Sequence, residues 1–194
     1  MFAAHCGSVG DFWVTTEGLT AWNYGTTESR QTAFDGAIMA SNFSQPYVWY
    51  GPYDASGVGA ISGSAIPAVG SEICYSGSFS GTVCGNVVTA KDVYTNLGGD
   101  LTSVRSIVTL NSAGLPAAGN GDSGGPGYIL SASGGTVVRL ATSIISAIPG
   151  NSGSTCNGVP GDSGTNGRKC SSTVYSTEVW RIANASGWSI QVAP

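Results

Sequence analysis

The sequence predicts an all-β fold, and three observations support this prediction. Only 9% of the residues are charged, 41% are hydrophobic, and glycine accounts for 30 of the 194 residues. Short alternating or β-branched runs are separated by turns rich in glycine, serine and asparagine, a pattern typical of a β-sandwich or a β-barrel. The clearest of these runs are residues 104–110, 128–130 and 136–148. A chain of this length buries roughly 70% of its unfolded surface, so we expect a substantial core.

A short helix is predicted close to the C-terminus. Ser176 or Thr177 is a candidate N-cap, and Gly187 is a candidate stop. Between them, apolar side chains recur at helical spacing and would face the core: Val179, Trp180, Ile182 and Ala183. Residues 188–192 would then form an extended tail that closes the fold.

The five cysteines favour two local disulfides. Cys74 and Cys84 lie ten residues apart across a glycine-rich hairpin, and Cys156 and Cys170 bracket a polar loop. This leaves Cys6 without a partner. Disulfides form and persist in oxidising compartments, so the pattern indicates a secreted, extracellular protein.

The composition argues against several classes of function. The net charge is −4 and the isoelectric point is near 4.6, so no basic surface is expected to bind nucleic acid. No apolar run approaches the length that spans a bilayer. With a single histidine and cysteines suited to disulfides, no cluster has metal-ligand spacing, and we expect neither a metal nor a cofactor.

The most informative motif is Gly-Asp-Ser-Gly-Gly-Pro at 121–126. A serine hydroxyl in a tight turn of small residues is a candidate nucleophile, provided that a base removes its proton. Glycine allows the backbone angles that turn neighbouring N–H groups towards one oxyanion. Ser123 is therefore the candidate nucleophile, and the amides of Gly121 and Ser123 are the candidate oxyanion hole.

A serine nucleophile also needs a base and a carboxylate that orients it. His5 is the only histidine of the chain. Of the seven aspartates, Asp35 is the best candidate because it is the single charge in the apolar run 33–39. A buried carboxylate is costly unless it is paired, and His5 could be its partner. Asp11 and Asp54 lie in turn sequences and are interpreted as solvated.

A second Gly-Asp-Ser-Gly sequence occurs at 161–164. It is followed by Thr165 instead of Gly-Pro, and it lies in the polar stretch 151–169 with no apolar strand behind it. We interpret this copy as a coincidence in a loop.

The order His, Asp, Ser, together with these motifs, resembles that of the chymotrypsin-like serine peptidases. Residues 69–77 and 81–87, which contain Cys74 and Cys84, are similar to the bacterial secreted branch of streptogrisins and alpha-lytic protease. The resemblance implies that His5 is the general base and acid, Asp35 the orienting carboxylate and Ser123 the nucleophile.

The resemblance also implies two packed antiparallel β-barrels with the site between them. The first barrel would comprise residues 1–60 and the second residues 61–194, with the boundary in the glycine- and serine-rich stretch 55–67. In relatives the cysteine after the histidine is bonded to a preceding strand, but only five residues precede Cys6. The first barrel is therefore expected to be incomplete, with unpaired sheet edges.

Further site residues are implied by the same resemblance. Relatives neutralise the aspartate beside the nucleophile with an internal arginine, and Arg105 is placed to pair with Asp122. The segment 115–120, which includes Ala117 as a substrate-binding candidate, contains no acid, so a preference for lysine or arginine is not expected. The other substrate-binding candidates match the segment that pairs with substrate backbone: Ser146, Ala147 and Ile148. Ile148 stands where relatives often have glycine and would narrow the pocket towards small or medium apolar residues.

The sequence thus predicts a secreted serine endopeptidase that acts as a monomer on a polypeptide substrate. Two alternatives remain open. One is an inactive or truncated binding domain that keeps the peptidase fold, because the chain begins so close to His5. The other is an esterase, because ester hydrolysis uses the same triad.

Overall fold

The structure is a computed structural model that describes residues 1–17, 20–41, 44–150, 155–159 and 167–193. Within these ranges the chain is mainly β-structure, as the sequence predicts. The second Gly-Asp-Ser-Gly sequence lies outside the described residues, so its interpretation as a coincidence stays a prediction.

Fourteen strands lie within the described residues and are numbered here in chain order. They are β1 Phe2–Ala3, β2 Phe12–Glu17, β3 Thr20–Gln31, β4 Gly36–Ala40, β5 Tyr47–Trp49, β6 Val58–Ser64, β7 Glu72–Gly77, β8 Gly81–Thr95, β9 Val104–Asn111, β10 Ala118–Gly119, β11 Pro126–Ser133, β12 Thr136–Ala147, β13 Cys170–Ser171 and β14 Thr173–Glu178. Short 3-10 helices span Ala4–Cys6 and Thr32–Phe34. The runs predicted at 104–110, 128–130 and 136–148 correspond to β9, β11 and β12.

The first four strands form an antiparallel sheet in the order β1-β4-β3-β2. Strand β1 pairs Phe2 with Ala37 and Ala3 with Gly36. Among the described residues the two outer strands do not pair with each other, so the sheet stays open. The first of the two predicted barrels is thus an open sheet in the described part of the chain.

The second sheet contains a closed barrel. Its six strands follow the order β11-β7-β8-β9-β14-β12, and β12 pairs again with β11. Strand β6 adds to the outside of β12 in parallel, and β5 pairs with β6. The division of the chain into residues 1–60 and 61–194 stays a prediction, and β6 spans this boundary.

The main core fills the closed barrel. Apolar side chains from facing strands meet there with little or no exposure: Ile73, Tyr75, Val83, Val88, Ile107, Ala117, Ala118, Ile145 and Val174. The Tyr75 hydroxyl lies inside this core, and it is satisfied by Ser176 Oγ at 2.8 Å and Thr109 Oγ1 at 3.2 Å. The core includes Ile145 of β12, so this strand is packed firmly from inside the barrel.

The predicted helix is confirmed as α1, Val179–Ser186. Val179, Ile182 and Ala183 are buried, and Gly187 ends the helix in the left-handed region with φ 73°. The predicted N-cap is wrong, because Ser176 and Thr177 belong to β14 and the N-cap position is Glu178. Strand β14 therefore runs up to Glu178, and the helix begins at the next residue.

None of the helices in the described ranges is long and apolar enough to span a membrane.

Candidate active site

The pairing of β1 with β4 brings His5 and Asp35 together. His5 follows β1, Asp35 precedes β4, and the Ala4 amide donates to the Asp35 carbonyl at 2.9 Å. Asp35 adopts the left-handed backbone conformation at φ 42°. A non-glycine residue held in that region often marks a functional constraint.

The Asp35 carboxylate is fully buried, and three hydrogen-bonding groups contact its oxygens. Its Oδ1 accepts from the His5 backbone amide at 2.9 Å, and its Oδ2 lies 2.8 Å from His5 Nδ1. The Ser146 hydroxyl donates to the same Oδ2 at 2.5 Å. The hydrogen bond at Nδ1 thus fixes the orientation of the imidazole ring, and Nε2 is the ring nitrogen that remains for a second interaction.

This environment raises the pKa of His5 above its ordinary value of 6.5. The main cause is the hydrogen bond to Asp35, with a further contribution from the neighbouring Cys6 side chain, and partial burial opposes both. The protonated imidazole is stabilised because its charge faces a buried carboxylate.

Two backbone hydrogen bonds hold the turn at 121–126 against β12. The Gly124 amide donates to the Ile145 carbonyl at 2.8 Å, and the Ile145 amide donates to the Gly125 carbonyl at 2.8 Å. Gly124 has φ 80°, and a Cβ at this position would lie only 2.9 Å from the Ala3 nitrogen. The nucleophile turn therefore packs directly against the strand that leads to His5.

The candidate oxyanion hole consists of the backbone amides of Gly121 and Ser123. Gly121 has φ 93°, a conformation that favours glycine. Within the described part of the chain, neither the Gly121 amide nor the Ser123 amide donates a hydrogen bond. Unpaired donors beside a serine are what an oxyanion site requires.

A cleft of about 280 Å³ contains both His5 and Ser123 in its wall. It is lined by residues from both sheets: His5, Leu97, Gly119, Asn120, Ser123, Ile145, Ser146, Ala147 and Ile148. His5 and Ser123 therefore face one cavity, although no hydrogen bond connects them among the described residues. Leu97, from the turn between β8 and β9, was not predicted, because an isolated leucine in a turn carries no periodic signal.

The predicted substrate-binding residues separate into two groups. Ala147 and Ile148 line the cleft, and Ile148 also packs against the barrel core. Ser146 also lines the cleft, and its hydroxyl donates to Asp35 Oδ2. Ala117 is wrong as a cleft residue, because it is 1% exposed within the barrel core.

Asp122 is buried beneath the nucleophile turn, as predicted, but its cation is Arg168. Arg168 Nη2 lies 2.8 Å from Asp122 Oδ2, and the Arg168 side chain is 3% exposed. The same carboxylate accepts from the amides of Phe79, Ser80 and Gly119 at 2.8–2.9 Å, and from the Ser80 hydroxyl at 2.6 Å.

The prediction that Arg105 pairs with Asp122 is wrong. Arg105 points away from the site and donates from Nε to Asp92 at 2.6 Å. This hydrogen bond raises the pKa of Arg105 and lowers the pKa of Asp92. Both side chains lie at the surface, where a strand arginine is readily satisfied by a neighbour on the adjacent strand.

Both predicted disulfides are confirmed, Cys74–Cys84 and Cys156–Cys170. Cys6 is a free, exposed cysteine. The Cys156–Cys170 disulfide closes the loop that carries Arg168, and Cys170 lies in β13, which pairs with β10 just before the nucleophile turn.

A larger cavity of about 620 Å³ lies on the other side of the turn, next to Gly125 and Pro126. None of its lining side chains is charged, and five exposed aromatic side chains dominate it: Tyr24, Tyr47, Trp49, Tyr50 and Tyr53. Tyr50 is held by the Arg139 guanidinium, 4.7 Å from the ring centre.

The described residues contain no group of three or more histidine, cysteine, aspartate or glutamate side chains that could hold a metal ion.

The closed barrel, the open sheet and the cleft between them define the chymotrypsin-like serine protease fold. Solved structures of bacterial serine proteases match almost the whole chain. Chymotrypsin from Cellulomonas bogoriensis is 23% identical with a TM-score of 0.65, covering 99% of this chain and 85% of that one. Protease A from Thermobifida fusca is 19% identical with a TM-score of 0.62, covering 99% and 83%.

A protease from Nocardiopsis is 26% identical with a TM-score of 0.58, and the match covers 95% of this chain and 80% of that one. No protein-family model and no curated protein matches the sequence.

The assignment of Arg168 leads to a stability prediction. Arg168→Met removes one partner of a buried ion pair and leaves the Asp122 charge unpaired, so the free energy of unfolding should fall by about 3–5 kcal/mol. Arg105→Met is the matched control and should change stability little, because exposed pairs contribute little. Urea denaturation measures both variants. A larger loss at Arg105 than at Arg168 would contradict the assignment.

Proposed function

We propose that the protein is a serine endopeptidase that works through His5, Asp35 and Ser123. The observation that carries this proposal is the imidazole of His5, which is bonded to a fully buried carboxylate and faces the same cleft as Ser123. The fold shared with bacterial serine proteases supports it independently.

In the proposed mechanism, His5 Nε2 accepts the Ser123 hydroxyl proton while Oγ attacks the substrate carbonyl carbon. The carbonyl oxygen becomes an oxyanion that the amides of Gly121 and Ser123 stabilise. His5 then donates its proton to the leaving amine as the C–N bond breaks, which leaves an acyl group on Ser123. Water, deprotonated by His5, hydrolyses this ester and restores the serine.

Asp35 has a supporting role in this mechanism. It holds Nδ1 protonated, so that Nε2 is the basic nitrogen, and it stabilises the imidazolium that forms in each half of the reaction. Ser146 fixes the carboxylate in turn, through the hydrogen bond to Oδ2.

We propose an extracellular location, supported by two disulfides in a chain of low charge content.

An organophosphonate probe tests the proposed nucleophile. The probe should label Ser123, and mass spectrometry of the digested protein should locate the adduct. Labelling should be lost in His5→Ala, because the hydroxyl is a weak nucleophile without its base. Absence of labelling in the unmodified protein would favour the binding-domain alternative.

The cleft supports a preference for small or medium apolar residues before the scissile bond. Its walls carry Leu97, Ile145 and Ile148, and the side chains that line it include no carboxylate. Digestion of a peptide library should therefore give cleavage after such residues and not after lysine or arginine. Ser123→Ala is the control, and cleavage of ester substrates alone would indicate an esterase.

The pH dependence follows from the raised pKa of His5. The base must be neutral to accept a proton, so kcat/KM should rise with pH through an ionisation above 6.5. Asp35→Asn removes the carboxylate that raises the pKa, so the remaining activity should be much lower and its rise should shift to lower pH. A rate independent of pH between about 5 and 8 would contradict the role of His5.

A further inference from the structure

The peptide unit between Asn120 and Gly121 is held from outside the nucleophile turn. The Asn120 carbonyl accepts a hydrogen bond from Arg168 Nε at 2.8 Å. In a planar trans peptide, the carbonyl and the following N–H point in opposite directions. Fixing the Asn120 oxygen therefore fixes the direction of the Gly121 N–H, which is one of the two candidate oxyanion donors.

The same segment secures the rest of Asn120. The Asn120 amide donates to the Lys169 carbonyl at 3.0 Å, and the Lys169 amide donates to Asn120 Oδ1 at 2.9 Å. With the bond from Arg168, residues 168–169 hold Asn120 at its amide, its carbonyl and its side chain. The residue before the oxyanion turn thus has little freedom to rotate.

Arg168 is itself fixed by a complete set of acceptors. Its guanidinium carries five N–H donors in a rigid fork, and each has an acceptor. Besides Asn120 O, the acceptors are Asn157 O at 2.8 Å, Val159 O at 3.1 Å, Ser80 Oγ at 2.6 Å and Asp122 Oδ2 at 2.8 Å. The Arg168 guanidinium also lies over the Phe79 ring, 5.6 Å from its centre.

We propose that Arg168 is a positioning residue that directs the Gly121 N–H into the oxyanion hole, in addition to neutralising Asp122. This inference rests on the proposed function. Neutralising Asp122 requires only a cation, whereas holding the peptide requires a planar group that reaches Asn120 O and Asp122 Oδ2 simultaneously. Arg168 makes these contacts with two different nitrogens, Nε and Nη2, whereas a lysine has one nitrogen and lacks the rigid fork that places two.

Arg168→Lys separates the two roles. It retains a cation for Asp122 but releases the Asn120 carbonyl, so kcat for a small peptide amide should fall about 10²–10³-fold, the effect of losing one oxyanion donor. KM should change little, because the donor acts mainly in the transition state. Arg105→Lys is the matched control and should keep the original kcat and KM. Unchanged kcat in Arg168→Lys would overturn the proposal.

A double variant covers the case in which Arg168→Lys does not fold. Asp122→Asn combined with Arg168→Met removes both charges, so no unpaired charge remains buried. The proposal expects the same loss of kcat in this variant, because nothing then holds the Asn120 carbonyl. Activity equal to that of the unmodified protein would contradict it.

An NMR measurement distinguishes failure of this inference from failure of the proposed function. In ¹⁵N-labelled protein, the Gly121 amide should give one sharp resonance, which should broaden or divide in Arg168→Lys and stay unchanged in Arg105→Lys. If the protein hydrolyses no peptide but this pattern is observed, the positioning role stands and the peptidase proposal fails. If peptides are hydrolysed and the Gly121 resonance is unaffected in Arg168→Lys, the positioning role fails alone.

Discussion

The need to satisfy buried carboxylates organises this protein around its site. Asp122 has almost no exposed surface, yet the segments around it supply five donors: the Phe79 and Ser80 amides, the Ser80 hydroxyl, the Gly119 amide and the Arg168 guanidinium. An isolated charge in such a place would cost several kcal/mol. The hairpin between β7 and β8, the strand β10 and the loop before β13 are therefore held in one arrangement around the nucleophile turn.

Asp35 imposes the same constraint on the other side of the cleft. Its donors come from two separate sheets: His5 lies beside β1 in the open sheet, and Ser146 lies on β12 in the closed barrel. The carboxylate is therefore satisfied only when the two sheets are packed together. The stability of the interface and the orientation of the imidazole depend on the same hydrogen bonds.

The sequence predicts those site features that have a local signal. Asp35 is recognisable because one charge interrupts an apolar run, and the Cys74–Cys84 pair is recognisable from its short spacing. Helix α1 is recognisable from its apolar spacing and from Gly187. Its start is not, because Ser176 and Thr177 belong to β14 and the N-cap is Glu178. The disulfide and the helix are predictable because their contacts are local, whereas the apolar run around Asp35 indicates only a buried charge that needs a partner from elsewhere in the chain.

Arg168 illustrates what cannot be predicted in this way. It lies 46 residues from Asp122, in a polar loop that has neither helical nor strand periodicity. The family resemblance indicates Arg105 instead, but the strand directs the Arg105 side chain to Asp92 at the surface. Which cation reaches a buried carboxylate depends on how the loops close over the turn, and this is settled only by the tertiary packing.

Because the cation that pairs with Asp122 comes from the loop before β13, that loop also contacts the cleft. Asn120 lines the cleft that contains His5 and Ser123, and residues 168–169 hold it while Arg168 also supports the turn that carries Ser123. Substitutions in that loop would therefore change the shape of the cleft and the position of the Gly121 amide together. The His5–Asp35 pair has separate support from β1, β4 and β12. In the proposed peptidase, substrate preference and oxyanion stabilisation thus share one structural support, whereas the base is supported independently, so loop changes that alter specificity would affect kcat without altering the pKa of His5.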